Sequence, residues 1–266
     1  MQNKKNKGKV LVVCQHYWPE SFRVTDICEY LVEQGCEVDV LCGRPNYPTG
    51  KLAKGYTLFN KRREKRNGVN VERVFEVPRG NNTNLRIFLN YISFPIASLT
   101  HIPRLLTRKY DKIFVFTYSP IMMSTAGILV GRLRRTETTM SVLDLWPENL
   151  FSVLPIKNRF LRWIATKVSH WHYKHVDKMI VPSNTMVKKV QTISQLPDNK
   201  ITPLPQACEK IYETDIHDKT LAKRFSKGFN ILFTGNISPA QSFETVIAAA
   251  KQLKKDGIED INWIIV

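Results

Sequence analysis

Short apolar runs rich in β-branched residues alternate along this chain with longer segments whose apolar residues recur every three to four positions. The short runs predict strands at 9–16, 37–42, 69–77, 112–118, 138–145, 178–182 and 200–205. The longer segments predict helices at 21–34, 85–107, 121–135, 158–176 and 184–194. Such strand–helix alternation argues for an α/β fold built on a doubly wound parallel sheet with right-handed crossovers. The pattern breaks at 208–228, a charged and weakly periodic stretch that reads as a linker. Beyond it a strand at 229–235, a helix at 242–255 and a strand at 261–266 restart the alternation. KVLVVCQHYWPESFRV at 9–24 and FNILFTGNISPAQSFETVI at 229–247 open alike, each with a strand, a Pro-bearing polar turn and an amphipathic helix start. The expectation is one complete domain over 1–207 and the first β-α-β of a second over 229–266, with the final strand Trp263–Val266 lacking its following helix.

Composition agrees with a packed core: 43% of the residues are hydrophobic and 10% aromatic, which excludes a disordered chain. The 40 Lys and Arg against 23 Asp and Glu leave +17, a surface that attracts sugar nucleotides, anionic headgroups or nucleic acid. No nucleic-acid-binding module pattern accompanies that charge, which is spread over many helices, so nucleic acid is not the expected partner. Cys14, Cys28, Cys36, Cys42 and Cys208 lack metal-ligand spacing and read as small buried hydrophobes in a reducing cytosol. The apolar run Val10–Val13 behind the basic start is too short for a secretory signal. Ile113–Gly131 carries no charge and has the length of a membrane span, but Ser119-Pro120 divides it into a buried strand and a sheet-packed helix.

Candidate chemistry gathers in the loops after predicted strands, where open α/β sheets bind ligands. In His16–Arg23, Ser21 is a candidate helix cap and Arg23 a first-turn cation facing an anion; the plainer reading is an ordinary turn with a solvated Arg. The loop GRPNYPTGKLAKGY at 43–56 is long for a connection, and its Tyr47 or Tyr56 could stack on a sugar or anchor the loop. At the end of a buried strand SVLDLWPENL places Asp144 and Glu148, which could hydrogen-bond sugar hydroxyls or act as acid or base, against the alternative of a helix cap beside a packed Trp146. Gly235–Ser242 offers backbone amides at a helix start to a phosphate. His170, His172 and His175 share too little of one face to hold a metal and read as polar-face or capping residues. The basic runs at 61–66 and 132–135 read as solvated faces, whereas 85–108 is apolar enough to touch an anionic bilayer surface.

Taken in order, HYWPESFRV, GRPNYPTGKLAKGY, DLWPENL, VDKMIVPSN, LPQACEKIY and LFTGNISPAQSFETVIAAA resemble bacterial family 4 glycosyltransferases of the GT-B fold, in the subgroup that builds capsular, O-antigen and exopolysaccharide repeat units. The resemblance runs from residue 9 to the end of the chain. It implies two Rossmann-like domains, with a nucleotide-diphosphate sugar held mainly by the second and a glycan or lipid-linked acceptor mainly by the first. It also implies metal-independent transfer with retention and no cofactor. Phe22 and Arg23 match positions near acceptor and phosphate, Asp144 to Glu148 the first-domain motif facing the substrates, and Asn236 and Gln241 the donor-phosphate contacts. Relatives commonly carry Gly at the places of Ser238 and Ser242. The glycine-rich turn expected after NWIIV and the later two-glutamate motif do not follow, so the donor half is expected to be cut short. The competing expectation is an inactive remnant, or a non-catalytic acceptor- or membrane-binding subunit completed by another polypeptide, at the cytoplasmic face of a membrane.

Overall fold

A computed structural model of the chain describes residues 7–153, 156–206, 218–235, 237 and 241–266. The chain divides into two compact units, one of residues 1–150 with 156–205 and one of residues 151–155 with 206–266. The first unit is an eight-stranded sheet, β1 (Lys9–Val13), β2 (Glu37–Cys42), β3 (Arg63–Arg66), β4 (Val69–Arg73), β5 (Lys112–Thr117), β6 (Thr138–Val142), β7 (Lys178–Val181) and β8 (Ile201–Pro203). Its order is β3-β4-β2-β1-β5-β6-β7-β8, and every pairing is parallel except β3 with β4. The strand order reverses between β1 and β5, which is the doubly wound arrangement that the alternation predicts.

Burial of both faces explains why the strands read as unbroken apolar runs. Successive residues of β1 divide between two cores, Leu11 and Val13 on one face, Val12 and the following Cys14 on the other. The first core lies under α2 (Asn84–Leu99), α4 (Thr125–Arg134), α6 (Arg159–Lys174) and α7 (Asn184–Ser194); the second lies under α1 (Arg23–Glu33). Glycine makes one of these contacts close: a Cβ on Gly127 of α4 would strike Val115 of β5. Cys14, Cys28 and Cys42 are buried, and burial holds their thiols well above the usual range. Cys208 lies outside the described residues.

Several local expectations change. The span expected as one helix over 85–107 breaks at Thr100-His101 into α2 and α3 (Ile102–Leu106), because Pro103 at the start of α3 has no amide to continue the ladder. The helix expected at 121–135 opens as a 3-10 turn, Ile121–Ser124, before α4. Ser21 caps nothing: α1 starts after Phe22, whose side chain makes no cap hydrogen bond. The basic run at 61–66 is largely exposed, as expected, and also contains β3, a charged edge strand whose Arg63 reaches Glu72 and whose Arg66 reaches Glu29 and lies over the Trp18 ring. The uncharged run 113–131 is split among β5, the 3-10 turn and α4, and among the described residues no helix is long and apolar enough to cross a membrane.

The second unit holds α8 (Lys219–Arg224), within the stretch expected as a linker, then β9 (Phe229–Phe233), α9 (Phe243–Lys255) and β10 (Ile261–Ile265). β9 and β10 pair in parallel, so this is a single β-α-β unit, and Phe229, Leu232 and Ile265 are exposed on it. Ser242 occupies the N-cap position of α9 with φ 49°, in the left-handed region that glycine adopts without strain, and makes no side-chain cap hydrogen bond.

Candidate active site

The loops leaving β1, β5 and β6 converge at the carboxyl ends of the strands where the sheet order reverses. From β1 comes His16, stacked on Phe22 with ring centres 4.7 Å apart and planes within 9°. The Tyr118 ring, just after β5, meets Phe22 edge-on at 4.9 Å, and Tyr47 tilts against it at 5.5 Å. These four rings surround the last residues before α1, so Arg23, the first residue of that helix, starts beside an aromatic wall. Its Nη1 lies 3.7 Å from Asp26 Oδ2 one turn on.

Asp144 enters from the loop after β6, half-buried. Its Oδ2 accepts a hydrogen bond from Ser119 Oγ at 2.8 Å, and that hydroxyl in turn accepts from Trp146 Nε1 at 2.9 Å. The Trp146 amide donates to the Tyr173 hydroxyl at 2.9 Å, so the carboxylate is aimed by a loop pinned at two points. Burial pushes the Tyr118 phenol up, with Cys14 and Asp144 adding to the shift and Arg23 opposing it, so both charges bear on one ring. Tyr173 is likewise raised, by burial first, with Glu148 and Asp144 both contributing. Glu148, at the start of α5 (Glu148–Val153), is exposed, and its charge and that of Asp144 both bear on Tyr173.

Behind these groups a buried polar lattice sets the 43–50 loop. Glu20 accepts from His16 Nδ1 at 3.0 Å through one oxygen, and from the amides of Asn46 and Tyr47 at 2.7 and 2.6 Å through the other. Glu76, fully buried, accepts from Gln15 Nε2, Asn46 Nδ2 and Asn90 Nδ2 at 2.9, 3.1 and 2.6 Å, and from the Arg44 amide at 3.0 Å. Burial pushes its carboxyl up to about 7 in spite of those donors. Gly43 permits the approach, since a Cβ there would overlap Glu76 Oε2.

The structure therefore brings together Phe22, Arg23 and Asp144, with Glu148 alongside. In the second unit Gln241 is exposed just before α9, and Asn236 and Ser238 lie outside the described residues. Of the two loop tyrosines, Tyr47 faces the rings, whereas Tyr56 is an anchor, donating to Glu64 Oε1 at 3.2 Å under the Arg73 guanidinium. His172 is buried rather than on a polar face: Nδ1 donates to Val168 O, Nε2 meets Thr125 Oγ1 at 2.9 Å, and burial lowers its pKa to about 4. Sequence reasoning missed Tyr118, Ser119 and the His16–Glu20 pair. The pair's i,i+4 spacing within HYWPE and the polar residues directly after an apolar strand are the signals that could have found them.

A family model described as "Glycosyl transferase 4-like domain" matches residues 21–207. Over 262 residues the chain is 24% identical to the Escherichia coli (strain K12) protein named "Putative colanic acid biosynthesis glycosyl transferase WcaI", covering 93% of this chain and 63% of that protein. Among solved structures, Anabaena Alr3699/HepE in complex with UDP and glucose superposes with TM-score 0.60 at 12% identity, over 97% of this chain and 60% of that one. Sucrose-phosphate synthase of Thermosynechococcus elongatus gives 0.59 at 10% identity, over 97% and 70%. These likenesses show the GT-B type of fold, and the chain spans less than two thirds of the length of the curated relative.

Proposed function

Since the chain belongs to the glycosyl transferase 4-like family, we propose that it works as a glycosyltransferase, moving a sugar from a nucleotide-diphosphate donor to a polysaccharide-precursor or lipid-linked acceptor with retention of configuration. The observation that carries this reading is the convergence of Phe22, Arg23, Tyr118 and Asp144 at the strand-order reversal, where α/β sheets bind their ligands. In that crevice the rings give a sugar an apolar floor, and Asp144 and Glu148 accept hydrogen bonds from acceptor hydroxyls, aligning one of them on the anomeric carbon. Arg23, at the start of α1, offsets the negative charge that develops on the departing diphosphate. Asn236 and Gln241 are the polar groups of the second unit assigned to the donor phosphates. The complex of Alr3699/HepE with UDP and glucose supports this class of donor. No metal or cofactor enters the reaction.

The acceptor side also suits an anionic membrane surface at the cytoplasmic face. Leu85, Phe88, Leu89, Ile96 and Leu99 are exposed on α2, and the chain holds no Asp or Glu between Glu76 and Asp111. Each basic residue near an anionic leaflet contributes about 1 kcal/mol. The test is transfer of radiolabel from a panel of UDP- and GDP-sugars to membranes of the source cells. Label in the lipid or glycan fraction supports the reading; lipid binding with no transfer from any donor supports the non-catalytic subunit instead.

A further inference from the structure

Beside the crevice, Arg79 differs from five ion-paired arginines near the sheet; the buried Arg44, which donates to Asn60 O, also lacks a carboxylate partner among the described residues. Arg63, Arg66, Arg73, Arg104 and Arg108 are each ion-paired to a carboxylate. The half-buried Arg79 guanidinium is instead held by one hydrogen bond, Nε to Asn90 Oδ1 at 3.2 Å, and by two rings, Tyr47 at 5.2 Å and Tyr91 at 5.3 Å. Among the described residues no carboxylate pairs with it. Its position is fixed from the backbone too, the Arg79 amide donating to Asn46 Oδ1 at 3.2 Å. The Gly80 amide donates to Gly50 O, and a Cβ on Gly50 would overlap Gly80 O, so two loops clamp together at this point. Glu76, which shares Asn90 with Arg79, accepts from four other donors.

An arginine fixed at Nε between two rings, with its terminal nitrogens left without an anion, is organised in advance for a bidentate oxyanion. The same helix α2 that supplies Asn90 and Tyr91 exposes Leu85, Phe88 and Leu89. We propose that Arg79, with Tyr47 and Tyr91, binds the diphosphate of a lipid-linked acceptor whose hydrocarbon lies along the apolar face of α2. Tyr47 touches the His16 ring as well, at 5.7 Å, so a diphosphate on Arg79 sets the first sugar of the acceptor against the crevice. The identity of the ligand as an acceptor rests on the transfer reading; the affinity for a diphosphate bearing a hydrocarbon does not.

The test is calorimetric titration of the 266-residue chain with geranyl diphosphate at physiological salt, read without any donor sugar. Arg79→Gln is expected to weaken binding at least tenfold and Arg79→Lys three- to tenfold, whereas Arg86→Gln, an exposed arginine on α2, changes it less than twofold. Equal losses in the Arg79 and Arg86 variants, or no binding by the unaltered chain at millimolar ligand, overturn the site. Phosphatidylglycerol vesicles form the second arm. Loss of vesicle binding in Arg79→Gln with geranyl diphosphate affinity intact assigns the residue to a phospholipid headgroup and overturns the acceptor assignment. Should Arg79→Gln fail to fold, phenylglyoxal modification of Arg79 in the unaltered chain, mapped by mass spectrometry, decides. Protection by geranyl diphosphate upholds the site and unprotected modification overturns it. A chain that binds geranyl diphosphate yet transfers no sugar defeats the transfer reading alone.

Discussion

Two regions of the first unit carry charge, and they hold it differently. Over β1, β2, β4 and β3 lies a cavity of about 530 Å³, lined by Lys9, Glu37, Asp39, Arg63, Glu72 and Arg108 among others. There the charges neutralise one another: Lys9 pairs with Glu37 and Asp39 at 2.5 and 3.3 Å, Arg108 with Asp39 at 2.8 Å, and Arg63 with Glu72 at 3.5 Å. At the carboxyl ends of β1, β5 and β6, by contrast, the rings of His16, Phe22, Tyr47 and Tyr118 stand beside Asp144, which is held by a hydroxyl rather than by a cation. The charges of the first region satisfy one another, whereas Asp144 has no cation partner among the described residues.

The sharpest way to break this contrast is at Gly43, whose missing side chain admits Glu76. Gly43→Ala is expected to cost about 3 kcal/mol or more through overlap with a fully buried carboxyl, measured as a shift in the urea midpoint. Next come the opposite pH dependences of the two regions. Burial raises Glu76 from 4.5 to about 7, so the folded state binds its proton more tightly than the unfolded chain. That contribution is fully present below 4.5 and is lost as pH rises through about 7. The stability difference between the unaltered chain and Glu76→Gln should therefore move in favour of the unaltered chain by about 2 to 3 kcal/mol from pH 8 to pH 5. A flat difference would show that Glu76 is not buried as an acid.

Asp39 behaves the other way. Burial opposes its charge, but hydrogen bonds from Asn70 and Tyr110 and the charges of Lys9 and Arg108 hold it below 3.8. Its contribution is present above 3.8 and is lost as pH falls through the folded value. Asp39→Asn should cost about 1 to 3 kcal/mol at pH 7, with the gap to the unaltered chain closing in acid. The smallest effect on stability is expected at Asp144→Asn, under about 1 kcal/mol, because Ser119 Oγ can still hydrogen-bond the amide oxygen. A larger loss in thermal melts would make Asp144 a structural residue and remove the distinction between the regions.

Much of the fold was legible because burial on both faces writes itself as apolar runs, as in β1 and β5, and because α7 carries clean helical periodicity behind a Ser183 cap that accepts from the Met186 amide. β3 was not legible: Arg-Glu-Lys-Arg has no apolar face, and only the pairing of β4 draws it into a strand. The break between α2 and α3 hides in a pattern whose apolar spacing continues through it. At the site, Arg23, Asp144 and Glu148 could be read as candidates from strand-end loops, and Phe22 through the family resemblance. Tyr118, Glu76 and Arg79 could not, since their meaning comes from neighbours distant in sequence: Glu76 from Gln15, 61 residues away, and Asn46, 30 away, Arg79 from Asn46, 33 away, and Tyr118 from Phe22.

The central claim, that function lies at the strand-order reversal and not in the charged cavity over β1–β4, is tested most directly by assaying Asp144→Asn and Asp39→Asn side by side. Radiolabel transfer from the sugar nucleotide that the unaltered chain uses is measured with each, normalised to the folded fraction. The account predicts that Asp144→Asn loses at least about a hundredfold in kcat/KM, on the order of 3 kcal/mol of transition-state stabilisation, with its melting point unchanged, while Asp39→Asn melts earlier and transfers normally per folded molecule. Normal transfer by folded Asp144→Asn, with loss in folded Asp39→Asn, would contradict it.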